Sequence, residues 1–525
     1  SYTEVNQSWN RVTSILAIDI KGAFDNVHKG VLLKTMSDMG LPEASKLWVS
    51  HFLGGRRTSL IIDGKVTESR RVDSGIPQGS PISPLLFLIY TSSLYRKIKE
   101  AGAHVVGFID DITIYKGGRD VDKNTATLSR VLQICHEWAQ ECHTEFDYGD
   151  KLGFLHIHKS KRGRPKKKKK RGPRRLTLPI TSLGKRQAQK SLKLLGVTLD
   201  CELKFQEHAK NVTSKAKRVM GIIGKLGGVY KGISCQTMKQ LYISCVRPIF
   251  EYASPVWYHK LTGQWKDEIQ KIQNTGLRKI LGAFRSAPIK AMQRDAEILP
   301  VSIRMKEIRD RFAIRAIRDV SPRNPVWKLA NSSKLAKGDL EKLFARVKQM
   351  NGIDDDKYWS KRPPWKLSNY LRGVRSDKAL QKLKSSLHVA SRNEWQSDYD
   401  TPGETSHYYS IVKKELYGGK YPNPLKSFMS SVSRHTFSKL FQLRTGHGVL
   451  GKYFRTRGID ERDHNCECGQ LETVEHVLKE CPLHPAERDL LRKVSPELDP
   501  KILLDTKKGL GAVVKFLDSL PQLLC

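Results

Sequence analysis

Cysteine is scarce in this chain. Nine scattered residues among 525 do not make a disulfide framework, and they fit thiols kept reduced in cytosol or nucleus. Long apolar runs are missing too, since the longest, Pro84 to Tyr90, falls far below the roughly 20 residues that span a bilayer. The opening SYTEVNQSWN has no basic stretch followed by an apolar one, so no secretory signal is expected, and it lacks an initiator Met. No internal repeat stands out. Negative charge is in short supply: 53 Asp and Glu face 93 Lys and Arg, a net charge of +40. That imbalance points to a polyanionic partner, nucleic acid before an anionic membrane surface.

What the chain does have is three short stretches in a fixed order: AIDIKGAFD (Ala17 to Asp25), GIPQGSPISP (Gly75 to Pro84) and GFIDDITIY (Gly107 to Tyr115). Asp19 closes an apolar strand, and Asp110 and Asp111 sit between apolar flanks. A partly buried turn with two like charges is costly unless a cation is near. Together the three carboxylates can serve two magnesium ions that clamp a transferring phosphoryl group, the centre of a nucleic-acid polymerase. Gly75 and Gly79 suit close backbone approach, and Gln78 offers a donor and an acceptor to a base or template. Each stretch also has an ordinary reading, Asp19 as a helix cap, Phe24 as core, the Asp pair as a hairpin turn. Order and spacing favour the joint one.

The expected fold is α+β. Residues 1–158 read as a polymerase palm, an antiparallel sheet with helices. Ser14 to Asp19 is a strand, His28 to Met39 a helix, and Thr58 to Asp73 a hairpin turning at Asp63-Gly64. Ser80-Pro81 opens a helix running to about Lys99, His104 to Tyr115 gives two strands joined at Asp110-Asp111, and Asn124 to His143 is a helix. Residues 159–190 read as a basic disordered loop. Leu192 to Asp200, within 191–204, is a strand candidate. Residues 205–325 read as an all-α domain whose apolar faces are Tyr242, Val246, Ile249, Phe250, Tyr252 and Leu277, Ile280, Leu281. Residues 326–430 are a polar linker with no clear pattern, its Asp354 to Asp356 an acidic loop, and 431–525 are helical with a small zinc-knuckle-like Cys/His region.

Two further elements bind. Arg162, Arg164, Lys166, Lys167, Lys168, Lys169, Lys170 and Arg171 form either an AT-hook for a narrow A·T minor groove or a nuclear-localisation and phosphate-binding tract. Both readings imply nucleic acid and a nucleus. Cys466, Cys468, His476 and Cys481 can make a closed structural Zn2+ site, with Glu472 to Lys479 helical and His484 a substitute ligand. Reduced surface cysteines are the plain alternative.

On these motifs the chain resembles the reverse transcriptase of a non-LTR retrotransposon, and is most similar to the Tad-like fungal elements. The resemblance implies an RNA-directed DNA polymerase that uses two Mg2+ ions, RNA template, DNA primer or target, and deoxynucleotides. It makes Asp19 to Asp25 the first metal motif with Phe24 as the gate against a ribose 2′-hydroxyl. Pro77 to Ser80, holding Gln78 and Gly79, would meet substrate, Phe108 to Asp111 would complete the metal site, and Lys151 would protonate the leaving pyrophosphate. Leu192 to Asp200 resembles a primer grip, and Tyr242 to Trp257 with Ile272 to Pro288 a thumb and connection. Only eighteen residues precede Asp19, where the family keeps its fingers, and no endonuclease or ribonuclease H signature is found. A truncated product is therefore expected, and the alternative is a remnant that binds nucleic acid without chemistry.

Overall fold

The computed structural model describes residues 11–149, 151–158, 175–179, 184–228, 231–319, 385, 387–396, 423–461 and 463–520. Arg162 to Arg171, Asp354 to Asp356 and most of 326–430 lie outside these described residues. The chain divides into two compact units, Ser1–Phe205 and Gln206–Cys525.

In the first unit, β1 (Val12–Asp19) lies inside a four-stranded antiparallel sheet with β6 (His104–Phe108), β7 (Asp111–Gly118) and β8 (Gly153–Ile157), in the order β6-β7-β1-β8. The apolar run of β1 does not alternate with polar residues because both its faces are covered. Leu16 and Ile18 enter one core with Phe87, Leu94, Leu128 and Leu132. Ile15 enters a second cluster with Leu155, Ile157 and Leu192. Successive strand side chains point to opposite faces, so a strand buried on both sides must be apolar at nearly every position.

The helices of this unit are α1 (Lys29–Asp38), α2 (Glu43–Leu53), α3 (Ser83–Tyr90), α4 (Ser92–Glu100) and α5 (Val121–Glu141). The N-caps are His28 for α1 and Asp120 for α5, whose carboxylate accepts from the Asp122 and Lys123 backbone N–H at 2.8 and 3.4 Å. Between α2 and α3 an exposed hairpin pairs β2 (Arg57–Thr58) with β5 (Arg70–Arg71) and β3 (Ile61–Ile62) with β4 (Lys65–Val66). It turns at Asp63-Gly64, as expected from their tolerance of positive φ. β9 (Arg175–Thr177) pairs β10 (Lys185–Gln187).

Several boundaries differ from the sequence expectation: 175–177 and 185–187, expected inside a disordered loop, pair as β9 and β10, and the helix expected over Asn124 to His143 runs Val121–Glu141. The helix expected from Ser80-Pro81 starts at Ser83 and divides at Thr91, where the Thr91 hydroxyl donates to the Phe87 carbonyl at 3.0 Å. Pro84 rather than Pro81 sits in the first turn, as a residue without an N–H can. Leu192 to Asp200, expected as one strand, is a hairpin of β11 (Ser191–Leu194) and β12 (Val197–Asp200), because Leu195 and Gly196 both take positive φ and reverse the chain. The turn between β6 and β7 is Ile109-Asp110, one residue earlier than expected, and Asp111 is the first rung of β7.

The described residues of the second unit hold helices and no named strand. Its core includes α6 (Gln206–Gly224) packed on α8 (Gly263–Leu281), with α7 (Cys235–Leu241) beside them. α7 runs into a π-helical turn, Tyr242–Val246, just ahead of Pro248, which has no N–H to continue the regular ladder. Tyr242, Val246, Phe250, Leu277, Ile280 and Leu281 are buried as expected, whereas Tyr252, where the helix ends, is exposed. α9 (Val301–Asp319) follows, then α10 (Arg434–Thr445), α11 (Gly451–Arg457), α12 (Pro485–Arg492) and α13 (Lys507–Ser519). Arg444 of α10 is fully buried and grips both carboxylate oxygens of Asp295 at 3.1 and 3.2 Å, the forked geometry that makes a buried ion pair tolerable. No described helix is long and apolar enough to cross a membrane.

Candidate active site

The β1–β7 register places Asp19 directly opposite Asp111, the last rung of a ladder that begins at Val12 and Gly118. Asp110 occupies the adjoining turn. That turn has two residues, with Ile109 at φ 57°, a conformation glycine takes freely and a β-branched residue rarely does. Strain of this kind is concentrated at functional sites. Asp19 is nearly buried at 9% exposure, Asp110 is half-buried and Asp111 exposed. The sheet therefore presents its carboxylates at one open end.

Burial first, then the charges of Asp110 and Asp19, raise the Asp111 carboxyl above its ordinary value, while Lys151 pulls it down. Negative charge here exceeds what the chain itself compensates. Lys151 makes an ion pair with Asp19 and its own ammonium is held up, chiefly by that hydrogen bond, with smaller help from Asp147 and Asp110. Its ammonium stands where a cation is wanted. Carboxylate oxygens are the hard donors that magnesium prefers, so the donor set and the excess charge both fit divalent ions.

The loop after Asp19 is fastened to the second motif. Gly75 N–H donates to the Val27 carbonyl at 3.0 Å and Ile76 N–H to the Phe24 carbonyl at 2.8 Å. Gly75 has φ +77°, and a Cβ there would lie 2.7 Å from the Asp25 carbonyl oxygen, so only glycine lets the two segments touch. Gly79 also has positive φ but faces open space, so its need is conformational rather than one of close approach within the chain. Phe24 is half-buried, its ring 5.5 Å from Phe87. Gln78, expected to address a base, donates to both oxygens of Asp25 at 3.0 and 3.2 Å.

Three residues of this neighbourhood escaped the sequence reading. Asp25 is the partner of Gln78. Arg56 donates to the Ser74 and Gly75 carbonyls at 2.7 Å each and pins the loop. Asp147 N–H donates to the Asp19 carbonyl at 2.9 Å, tying the segment before Lys151 to β1. The place of Asp25 at the end of the stretch AIDIKGAFD could have flagged it. Arg56 and Asp147 belong to no spacing pattern.

In the second unit, Cys466, Cys468, His476 and Cys481 come together with ligating atoms all within 4.8 Å of one another, the one such group among the described residues. Cys466 and Cys481 sulfurs are 3.7 Å apart, and Cys468 Sγ is 3.3 Å from His476 Nε2. The bridge between Asn465 and Leu471 folds the first two thiols into a knuckle. Helix from Val474 carries the buried His476, and His484 instead precedes α12 as its N-cap. Three soft thiols and an imidazole at this spacing fit a zinc ion. The three carboxylates of the first unit share a neighbourhood but not that spacing.

Residues 3–199 match the family described as reverse transcriptase (RNA-dependent DNA polymerase). The Retrovirus-related Pol polyprotein from type-1 retrotransposable element R1 of Bradysia coprophila is 23% identical over 491 residues, 90% of this chain and 41% of that protein. The RNA-directed DNA polymerase from mobile element jockey of Drosophila melanogaster is 22% identical over 345 residues, 64% of this chain and 36% of that protein. A solved apo telomerase from Candida Tropicalis aligns over 36% of this chain and 34% of that one, at 11% identity and a TM-score of 0.26. The chain thus spans about two fifths of the length of these curated relatives. Residues 3–199 carry a reverse transcriptase domain of the RNA-directed DNA polymerase family, and the chain resembles non-LTR elements of R1 and jockey type at low identity.

Proposed function

We propose that the chain extends a DNA primer on an RNA template with deoxynucleotides, as the polymerase of a non-LTR retrotransposon. The observation that carries this reading is the register of Asp19 against Asp111 with Asp110 in the next turn. Two Mg2+ ions held by Asp19, Asp110 and Asp111 would supply an activated primer 3′-hydroxyl and charge neutralisation at the transferring phosphoryl group. Lys151, released from Asp19, would present its ammonium to the leaving pyrophosphate and give it a proton. Phe24, braced by Phe87, would lie against the sugar and turn away a 2′-hydroxyl. Gln78 would act by holding Asp25, and Gly79 would leave the loop open to substrate. The zinc at Cys466, Cys468, His476 and Cys481 would be structural, closing off the knuckle from reaction.

The finer parts of the reading are proposals of the same kind. Residues 1–158 would be the palm, with the β11–β12 hairpin near the primer and 205–325 as the thumb. Kinship to the Tad-like fungal elements rests on the motif resemblance. The basic run from Arg162 to Arg171 would take the chain to the nucleus. A fluorescent fusion should be nuclear with that run and lose its nuclear enrichment when 159–175 are deleted; unchanged enrichment would refute the signal.

A second reading, nucleic-acid binding without chemistry, is favoured by the Lys151 ammonium already neutralising Asp19. Primer extension on an RNA template with magnesium, beside Asp110→Asn, separates the two. Extension lost only in the variant supports the enzyme, and a folded, RNA-binding chain without extension supports the binder.

A further inference from the structure

The second unit contains a cationic groove, largely within the proposed thumb at 205–325, to which the polymerase reading assigns no ligand. Between α6 and α8 lies a cavity of about 470 Å3 walled by Lys217, Lys225, Lys271 and Lys279. A second, of about 570 Å3, adjoins it between the end of α8 and α10, walled by Arg278, Arg285 and Lys439 around Phe284. Thr275 and Lys279 line both, so the two cavities meet along α8 as neighbouring halves of a trough. Its floor includes Met220, Ile272 and Val449.

Charge along the trough is nearly all of one sign. Glu268 is the carboxylate of the first cavity, and it is taken by Lys217 at 2.7 Å and Lys271 at 2.9 Å, which hold its carboxyl down at about 2. No carboxylate lines the second. There the Arg278 guanidinium donates to the Arg285 backbone carbonyl at 3.2 Å, and both arginines line the cavity. Lys271, Thr275 and Lys279 follow one another at four-residue steps along α8, a polar line about 12 Å long. Half-buried Phe284 stands beside it, braced edge-on by Tyr453 at 5.6 Å. A row of cations suits any polyanion, but a row of cations with a fixed aromatic face is the physical signature of a strand whose bases are unstacked. A closed duplex offers the ring no base.

We propose that this trough binds a single-stranded polynucleotide, with phosphates against Lys225, Lys271 and Lys279 and a base on Phe284. The binding is separate from catalysis and does not depend on the carboxylates. The test uses the full chain and a labelled 12-nucleotide uridine strand, with affinity read by fluorescence anisotropy over a range of salt. Lys225 and Lys279 are both exposed, so the Lys225→Gln, Lys279→Gln double variant should fold normally. It should bind the strand at least about tenfold more weakly and lose about 1.4 from the slope of log affinity against log salt, about 0.7 per phosphate contact. Phe284→Leu should weaken binding about fivefold or more and leave the slope alone. Affinity for a closed RNA–DNA hybrid should change less than about twofold in either variant. Unchanged affinity and slope in the double variant would overturn the proposal. So would equal losses for strand and hybrid, which would mean a duplex grip, or displacement of the strand by polyglutamate at matching charge, which would mean a site for acidic peptide.

Discussion

The carboxylate end of the sheet and the Cys/His knuckle both carry donor sets that fit cations, yet they are arranged in opposite ways. The knuckle brings four ligands within 4.8 Å of one another and buries His476 and Cys481. The sheet end leaves Asp111 exposed, keeps like charges side by side and borrows the ammonium of Lys151. A structural metal site satisfies itself and shuts, whereas a site that must exchange substrate stays open and electrostatically unfinished. The contrast explains why one cluster is found by geometry alone and the other needs its register to be recognised.

Breaking either side should break one function and spare the other. The largest effect is expected from Asp110→Asn, which should cut primer extension about a thousandfold or more while nucleic-acid affinity stays within about twofold. Extension at the parental rate would remove Asp110 from the metal site. Next, Cys481→Ser should drop zinc, measured by elemental analysis, from about one per chain to near zero, and expose 460–490 to protease. Asp19→Asn should leave that zinc in place; loss of zinc there would deny the two sites their independence.

Lys151→Gln should slow extension by about a hundredfold, and a rate within twofold of the parent would reduce Lys151 to a phosphate contact or a bystander. The smallest effect concerns pH. The Asp111 carboxyl is raised above its ordinary value, so the folded state binds more protons than the unfolded one in the window between the two. Its contribution to stability is present below the ordinary value and is lost as pH rises through the raised one. Metal-free thermal melts should fall across that window. Asp110→Asn should flatten the fall and Lys151→Gln, which removes the lowering charge, should deepen it; a rise with pH would reverse the assignment.

Much of the site was legible because its chemistry is local. Asp19 ends an apolar run, and Asp110-Asp111 sits between two others, so strand, turn and carboxylates fall out of the pattern. The turn was displaced by one because a left-handed Ile109 is not what a β-branched residue advertises. The Leu195-Gly196 reversal hid for the same reason, its first residue being a leucine. Tyr252 looked like core by spacing, but its helix ends at Glu251 and the period stops there. Arg56 and Asp147 were invisible because each acts on backbone groups brought near only by folding. In the α6–α8 trough the cations were plain in composition, but their gathering on one side of two helices was not.

The eight-rung ladder from Val12↔Gly118 to Asp19↔Asp111 makes the site a matter of counting. A substitution at most rungs changes packing, but a single residue gained in either strand would swing Ile18 or Ile112 into the place of a carboxylate at the open end. In these two strands, therefore, length rather than residue identity decides whether the carboxylates face one another.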